Sequence, residues 1–150
     1  MRPRVTIAAK QDIAAVAEAH TVSYIAVLLS LTFTTSISRA TKMASYYLST
    51  ITSFASGSIT QISDLSLLST LIVGTLDKLK TDEGMYFEEK EHRIEVVGAG
   101  SAVVWITFRR KGIVWTNVYF FRRMESGEVG WEGGFFDGEM GMLKEFAKED

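Results

Sequence analysis

The chain has 150 residues, 16 Lys and Arg against 18 Asp and Glu for a formal charge of -2, and no cysteine. That length supports an ordinary core without covalent staples, so we read residues 1–150 as a single domain. The charge balance excludes the basic footprint that a nucleic-acid partner requires, and the lack of Cys removes disulfides, thiolate metal sites and a cysteine nucleophile. Two uncharged stretches, 21–38 and 43–63, reach membrane-spanning length. Both are dense in Ser and Thr, the second also holds Gly57 and Gln61, and each parses better as two short elements. The N-terminus meets Lys10, Gln11 and Asp12 before a signal-peptide core develops. The expectation is a cytoplasmic protein with no membrane partner.

In chain order, Ile13, Val16, Ala17, His20, Tyr24, Val27 and Leu28 recur at helical spacing and predict a helix over about 10–29. Ser38 is the expected N-cap of a second helix whose face carries Ala40, Met43, Ala44, Tyr47 and Leu48. Residues 51–54 and 58–62 flank Ser56-Gly57 and predict a hairpin. Ser63 or Asp64 caps a third helix with Leu68, Leu71, Ile72, Leu76 and Leu79 on one side, with Gly74 a weak point inside it.

The second half reads as a strand meander over 85–97, 102–110, 113–123 and 128–136, broken by Gly98-Ala99-Gly100, Lys111-Gly112 and Glu125-Ser126-Gly127. Asp137 caps a short last helix bearing Leu143 and Phe146. Helices first and an antiparallel or mixed sheet afterwards predict an α+β fold with the helices on one face of a curved sheet.

Turn lengths fix which side chains share a face. Pairing Val97 with Ser101 sets His92 opposite Ile106 and Ile94 opposite Val104. Pairing Arg110 with Ile113 sets Ile106 opposite Asn117 and Val104 opposite Tyr119. Pairing Arg123 with Glu128 sets Tyr119 opposite Glu132. The expected interior face then carries His92, Ile94, Val96, Val104, Ile106, Phe108, Asn117, Tyr119, Phe121 and Glu132. The outer face carries Val103, Trp105, Val118, Phe120 and Trp131 among charged residues. Gly130, Gly133 and Gly134 predict a bend or bulge near Trp131.

This order of elements, with Tyr46-Tyr47, Trp105, Trp115-Thr116-Asn117 and Trp131-Glu132 as landmarks, resembles the nuclear transport factor 2-like superfamily, most nearly its small, uncharacterised fungal members. The resemblance covers nearly the whole chain and implies a cone whose bent sheet wraps a long helix around a pocket, often as a dimer through the outer sheet face. The superfamily includes ketosteroid isomerases, polyketide cyclases of the SnoaL-like type, dehydratases and epoxide hydrolases beside members without chemistry, so fold alone does not decide function. Its enzymes use a pocket Asp or Glu as base with a Tyr, His or protonated carboxyl as donor.

This chain departs from the isomerase pattern. Asp12, Asp64, Asp77, Asp82, Asp137 and Asp150 all fall at predicted helix ends or loops, which leaves Glu132 as the expected pocket carboxylate. Catalytic candidates are therefore Glu132, His92 and Tyr119, with His20, Tyr24, Asn117, Ile106, Phe108 and Phe121 lining a pocket for a small apolar ligand. Each polar residue also has a plain structural reading, as a hydrated rim group or a satisfied core group. With only two His and no metal-ligand spacing, neither a metal nor a cofactor is expected. Gly98-Ala99-Gly100 joins two strands and is no phosphate loop. The leading expectation is a pocketed domain performing cofactor-free isomerisation, dehydration or cyclisation; the alternative is a non-catalytic dimerisation or partner-binding domain. A polar-tipped cavity of about 300 Å³ or more would favour the first, and a cone filled by Tyr24, Phe108, Tyr119 and Phe121 the second. Trp105, Phe120 and Trp131 are the expected anchors of a homodimer.

Overall fold

The computed structural model describes residues 7–30, 33, 35–81, 84–85, 87–110 and 112–147. Asp82 and Asp150 lie outside them, as does the side chain of Phe146. Helix α1 (Ile7–Leu29) buries Ile13, Ala17, Thr21, Tyr24 and Leu28 against the sheet, while Val16, His20 and Val27 border that line half-buried. Thr21 satisfies its buried hydroxyl by donating to the Ala17 carbonyl at 2.7 Å. Among the described helices, only this one is long and apolar enough to cross a membrane, over Asp12–Leu29. Here it serves as the core helix.

Helix α2 (Ser36–Ala44) begins one turn earlier than its sequence suggests: Thr35, not Ser38, is the N-cap, its Oγ1 accepting the Ser38 N–H at 3.0 Å. Arg39 is buried and donates to the carbonyls of Val27 and Leu28 at 2.8 and 2.7 Å, which satisfies orphan acceptors at the C-terminal end of α1. The helix also stops sooner. Tyr47 and Leu48, expected on its face, instead open strand β1 (Tyr47–Ala55), which is joined to β2 (Ser58–Ile62) by a two-residue turn. Ser56 and Gly57 adopt φ of 51° and 80°, the left-handed pair that a type I′ hairpin needs.

Asp64 starts α3 (Leu65–Leu79) by accepting the Ser66 N–H at 2.8 Å, and Gly74 does not interrupt the helix. A small ribbon of β3 (Lys80–Thr81) and β4 (Gly84–Met85), unforeseen in the sequence, precedes the meander β5 (Glu88–Gly98), β6 (Ser101–Arg110), β7 (Ile113–Arg123) and β8 (Val129–Phe135). Helix α4 (Asp137–Ala147) closes the described chain. The six-stranded sheet runs β2-β1-β8-β7-β6-β5, with β1 parallel to β8 and every other pair antiparallel.

The pairings His92 with Ile106, Ile94 with Val104, Ile106 with Asn117 and Val104 with Tyr119 all occur. The first turn differs at its tip, where Gly98 rather than Val97 pairs with Ser101 and Val97 is the extra residue of a bulge, and the last turn differs with more effect. Arg123 pairs with Val129 rather than Glu128, the turn being closed by Met124 N–H to the Glu128 carbonyl at 2.8 Å. This one-residue slip reverses the face of the strand that follows. Trp131 stands opposite Phe121 in the interior, 0% exposed, and Glu132 becomes the extra residue of a bulge between the partners of Phe121 and Phe120. Glycine is needed next to it. Gly133 has φ +150°, and a Cβ there would sit 2.0 Å from the Thr52 carbonyl oxygen; one on Gly134 would sit 2.1 Å from that of Val118.

Asp137 likewise has a different task from the expected cap. It is the first residue of α4, and its Oδ1 accepts the Ser56 N–H of the β1–β2 turn at 2.6 Å. The hairpin is thereby tied to the start of the last helix.

Candidate functional site

A cavity of about 260 Å³ lies between the C-terminal half of α1, the β1–β2 hairpin, α3, the sheet interior and α4. Most of its wall is apolar: Leu28, Ile51, Leu68 and Leu76 on the helix and hairpin side, with Phe108 and Trp115 side by side across β6 and β7. Its polar wall is a cluster that no single element could build. Asn117 and Tyr119 are two apart on β7 and so point to the same side; Tyr24 comes from α1, Tyr47 from β1 and Glu139 from α4.

Asn117, 2% exposed, donates through Nδ2 to Glu139 Oε1 at 3.2 Å and to Tyr119 Oη at 3.3 Å. Tyr24 and Tyr47 share a hydrogen bond between hydroxyls at 3.3 Å, and the Tyr24 ring meets that of Tyr119 edge-on at 5.6 Å. Burial raises the Glu139 carboxyl above its ordinary value of 4.5, and the Asn117 hydrogen bond only partly opposes it. Burial also pushes Tyr24, Tyr47 and Tyr119 up, reinforced at each by the Glu139 charge, so all three keep their protons at neutral pH. Among the described residues lining the cavity there is no Lys, Arg or His. A proton-accepting carboxyl therefore faces an apolar space beside neutral hydroxyls, the arrangement from which acid–base chemistry on a small molecule can be built.

The expected site residues separate into four places. Tyr24, Phe108, Asn117 and Tyr119 line the cavity together. Ile106 and Phe121 are interior residues outside its wall, as is His20, whose ring packs on Tyr46, Phe121 and Trp131 and whose Nε2 donates to the Tyr46 carbonyl at 3.1 Å. Burial lowers the His20 pKa, so the ring is neutral and structural. His92 sits at the rim between α1 and β5, with Nε2 2.9 Å from Glu18 and Nδ1 2.5 Å from Glu89. Burial by itself would lower its pKa, but hydrogen bonds and charge from Glu89 and Glu18 outweigh that and raise it.

Glu132 is the main correction. Its carboxylate lies on the outer face, 31% exposed at the side chain, and takes two hydrogen bonds from Arg122, that from Nη2 at 3.0 Å. The expectation of a pocket carboxylate without a cation belongs instead to Glu139. Its signal was present in the sequence: residues 139, 142 and 143 follow helical spacing, so a carboxyl shares a stripe with Met142 and Leu143 on the last helix.

No protein-family model matches the chain, and no curated protein matches it in sequence. Solved structures do match in shape. A nuclear transport factor 2-like protein of unknown function from Pseudomonas putida aligns at TM-score 0.55 and 14% identity, over 87% of both chains. A ketosteroid isomerase-like protein from Erwinia carotovora atroseptica aligns at 0.50 and 16%, over 81% of this chain and 92% of that one. A protein from Novosphingobium aromaticivorans, provisionally assigned as a scytalone dehydratase, aligns at 0.56 and 9%, over 87% and 86%. The architecture is thus the α+β cone of nuclear transport factor 2-like proteins, which at these identities speaks for fold and not for chemistry.

Proposed function

We propose that the chain binds a small apolar ring compound in this cavity and moves a proton on it through Glu139, as a cofactor-free isomerase, dehydratase or cyclase of secondary metabolism. The observation that carries the reading is a carboxyl of raised pKa on the wall of a largely apolar cavity, hydrogen-bonded to Asn117 at 3.2 Å. Its position, with neutral tyrosine hydroxyls alongside, suits removal of a proton from carbon and its return elsewhere on the same molecule. The ketosteroid isomerase-like and scytalone dehydratase-like neighbours support the reaction class by analogy of fold. Kinship with the small fungal members of the superfamily is part of the same proposal. The volume, about 260 Å³ against a usual lower bound of about 300 Å³, points to small substrates. Roughly 150 Å³ suffices for benzene, so one ring or two small fused rings fit.

The test uses cyclohex-3-en-1-one, whose conversion to the conjugated ketone is followed by ultraviolet absorbance and whose proton exchange is followed by NMR in D₂O. Catalysed conversion that disappears in Glu139→Gln, with binding retained, is the expected result. Neither binding nor exchange by the wild type, with this ketone and with bicyclic analogues, would reject the reading.

A second reading, a dimerisation or partner-binding module, is favoured by one row of the outer sheet face. Ile59, Phe54, Phe135, Val118 and Trp105 are successive cross-strand neighbours from β2 to β6, and Ile59 and Phe135 are 71% and 45% exposed. Phe120 packs edge-on against Phe135 at 5.2 Å, while the Arg93 guanidinium covers Trp105 at 4.2 Å. Of the expected anchors Trp105 and Phe120 belong to this face and Trp131 does not. We propose a homodimer through this row, since an apolar band of such continuity is uncommon on a solvated face. Light scattering at tens of micromolar should give twice the monomer mass, and Phe135→Glu should return it to the monomer. A monomeric wild type rejects it.

A further inference from the structure

We infer that the cavity selects a small ring carrying a basic nitrogen, bound as its ammonium ion against Glu139. The inference rests on the reading that the cavity takes a small ligand, and adds the charge class of that ligand.

Glu139 differs from the carboxylates that have cationic partners in lining the cavity. Glu18 and Glu89 meet His92, Glu88 meets Arg109, Glu132 meets Arg122 and Asp12 meets Arg123. These are carboxylates on or near the surface, where water would have served them. Glu139, half-buried on the cavity wall, has among the described residues the amide of Asn117 and the neutral hydroxyls of Tyr24, Tyr47 and Tyr119 beside it, and no ion pair. A carboxylate taken out of water needs either a proton or a cation. The protein offers no cation among the described lining residues, and the space next to the carboxyl is open cavity.

The rest of the wall suits the same guest. Tyr24, Phe87, Phe108, Trp115, Tyr119 and Phe136 all line the cavity. Aromatic faces attract a cation within about 6 Å, more strongly when water is excluded. An anion would meet the same quadrupoles and the Glu139 carboxylate with no positive group to hold it. A neutral molecule gains apolar contact but no charge-assisted bond to Glu139. An ammonium ion gains both.

The proton count closes without any further reactant. When Glu139 is protonated in the empty cavity, the ammonium displaces that proton to solvent, and the ion pair forms with no change in bonding of the ligand. An amine so bound also occupies the proposed base, so it blocks proton transfer on a ketone.

Isothermal titration calorimetry at neutral pH with benzylammonium, benzyl alcohol and benzoate tests the inference, since the three share a ring and differ in charge. Benzylammonium should bind at least about ten-fold tighter than benzyl alcohol, because a charge-assisted bond replaces a neutral one, and benzoate should bind weakest. In Glu139→Gln the amine preference should vanish while benzyl alcohol keeps its affinity within about three-fold. Benzyl alcohol binding as well as the amine in the wild type overturns the inference and leaves the small-molecule reading standing. So does an amine preference that survives Glu139→Gln. If neither the alcohol nor the amine binds, both fall together.

Discussion

Glu132 and Glu139 stand seven residues apart on either side of Phe136, yet they occupy opposite worlds. One lies at a bulge on the outer face of the sheet, paired with Arg122 in reach of water; the other lies in the first turns of α4, against a cavity with no cation among the described residues of its wall. A carboxylate's chemistry is set by what replaces its water. The same functional group is an ion pair on one side of the sheet and a carboxyl of raised pKa on the other.

The largest expected effect separates the two in turnover. Glu139→Gln should lower the rate of cyclohexenone isomerisation by roughly 10²–10⁴, the usual contribution of a general base, while Glu132→Gln should leave it within about two-fold. Steady-state rates of both variants decide this, and equal losses would erase the distinction between the two carboxylates.

The next tests the bulge that keeps them apart. Gly133→Ala places a methyl 2.0 Å from the Thr52 carbonyl oxygen at a φ that L side chains rarely adopt, so either β1 separates from β8 or the bulge moves. A loss of about 3 kcal/mol or more is expected, measured by urea unfolding. A loss below about 1 kcal/mol would show that the bulge tolerates a side chain.

A pH-dependent effect follows from the raised Glu139 pKa. A carboxyl that binds its proton more tightly folded than unfolded costs stability once it ionises, so the cost begins above the ordinary value of 4.5 and is complete above the folded pKa. Thermal scans should therefore show Glu139→Gln melting higher than the wild type at pH 8, with the difference shrinking to nothing by pH 4. A constant difference across that range would mean that the carboxyl is not desolvated.

The smallest effect belongs to the outer pair. Arg122 and Glu132 are 43% and 31% exposed at their side chains, so Arg122→Ala should cost no more than about 1 kcal/mol and cost less at high salt. A larger loss would mark the pair as part of the architecture around the bulge.

Much of this arrangement was legible in the sequence. Turn lengths and alternation placed Val104, Ile106, Phe108, Asn117, Tyr119 and Phe121 on the interior face, as the structure has them, and helical spacing brought Tyr24 toward the same region. The site's acid was not legible by the same means. Alternation carries side-chain direction along a strand only while the register holds, and Glu132 follows a turn one residue longer than assumed. Glu139 could be seen as a carboxyl on an apolar stripe, but which cavity that stripe would face depended on where α4 docks.

What the sequence by itself determined are the local matters: most of the helices and strands, though not the bounds of α2 or the β3–β4 ribbon, the hairpin at Ser56-Gly57, and the registers through the middle of β5, β6 and β7. These depend on neighbours within a few residues or across a tight turn. Only the tertiary structure decided the face of β8, the bulge at Glu132, the inward turn of Trp131 and the meeting of Tyr24, Tyr47, Asn117, Tyr119 and Glu139. Each of these depends on parallel pairing of β8 with β1, distant in sequence, where Gly133 must pass close to Thr52 and α4 must return across the open end of the cone. No local periodicity encodes such contacts, because the energy that selects them is gained only when the distant strand is already in place.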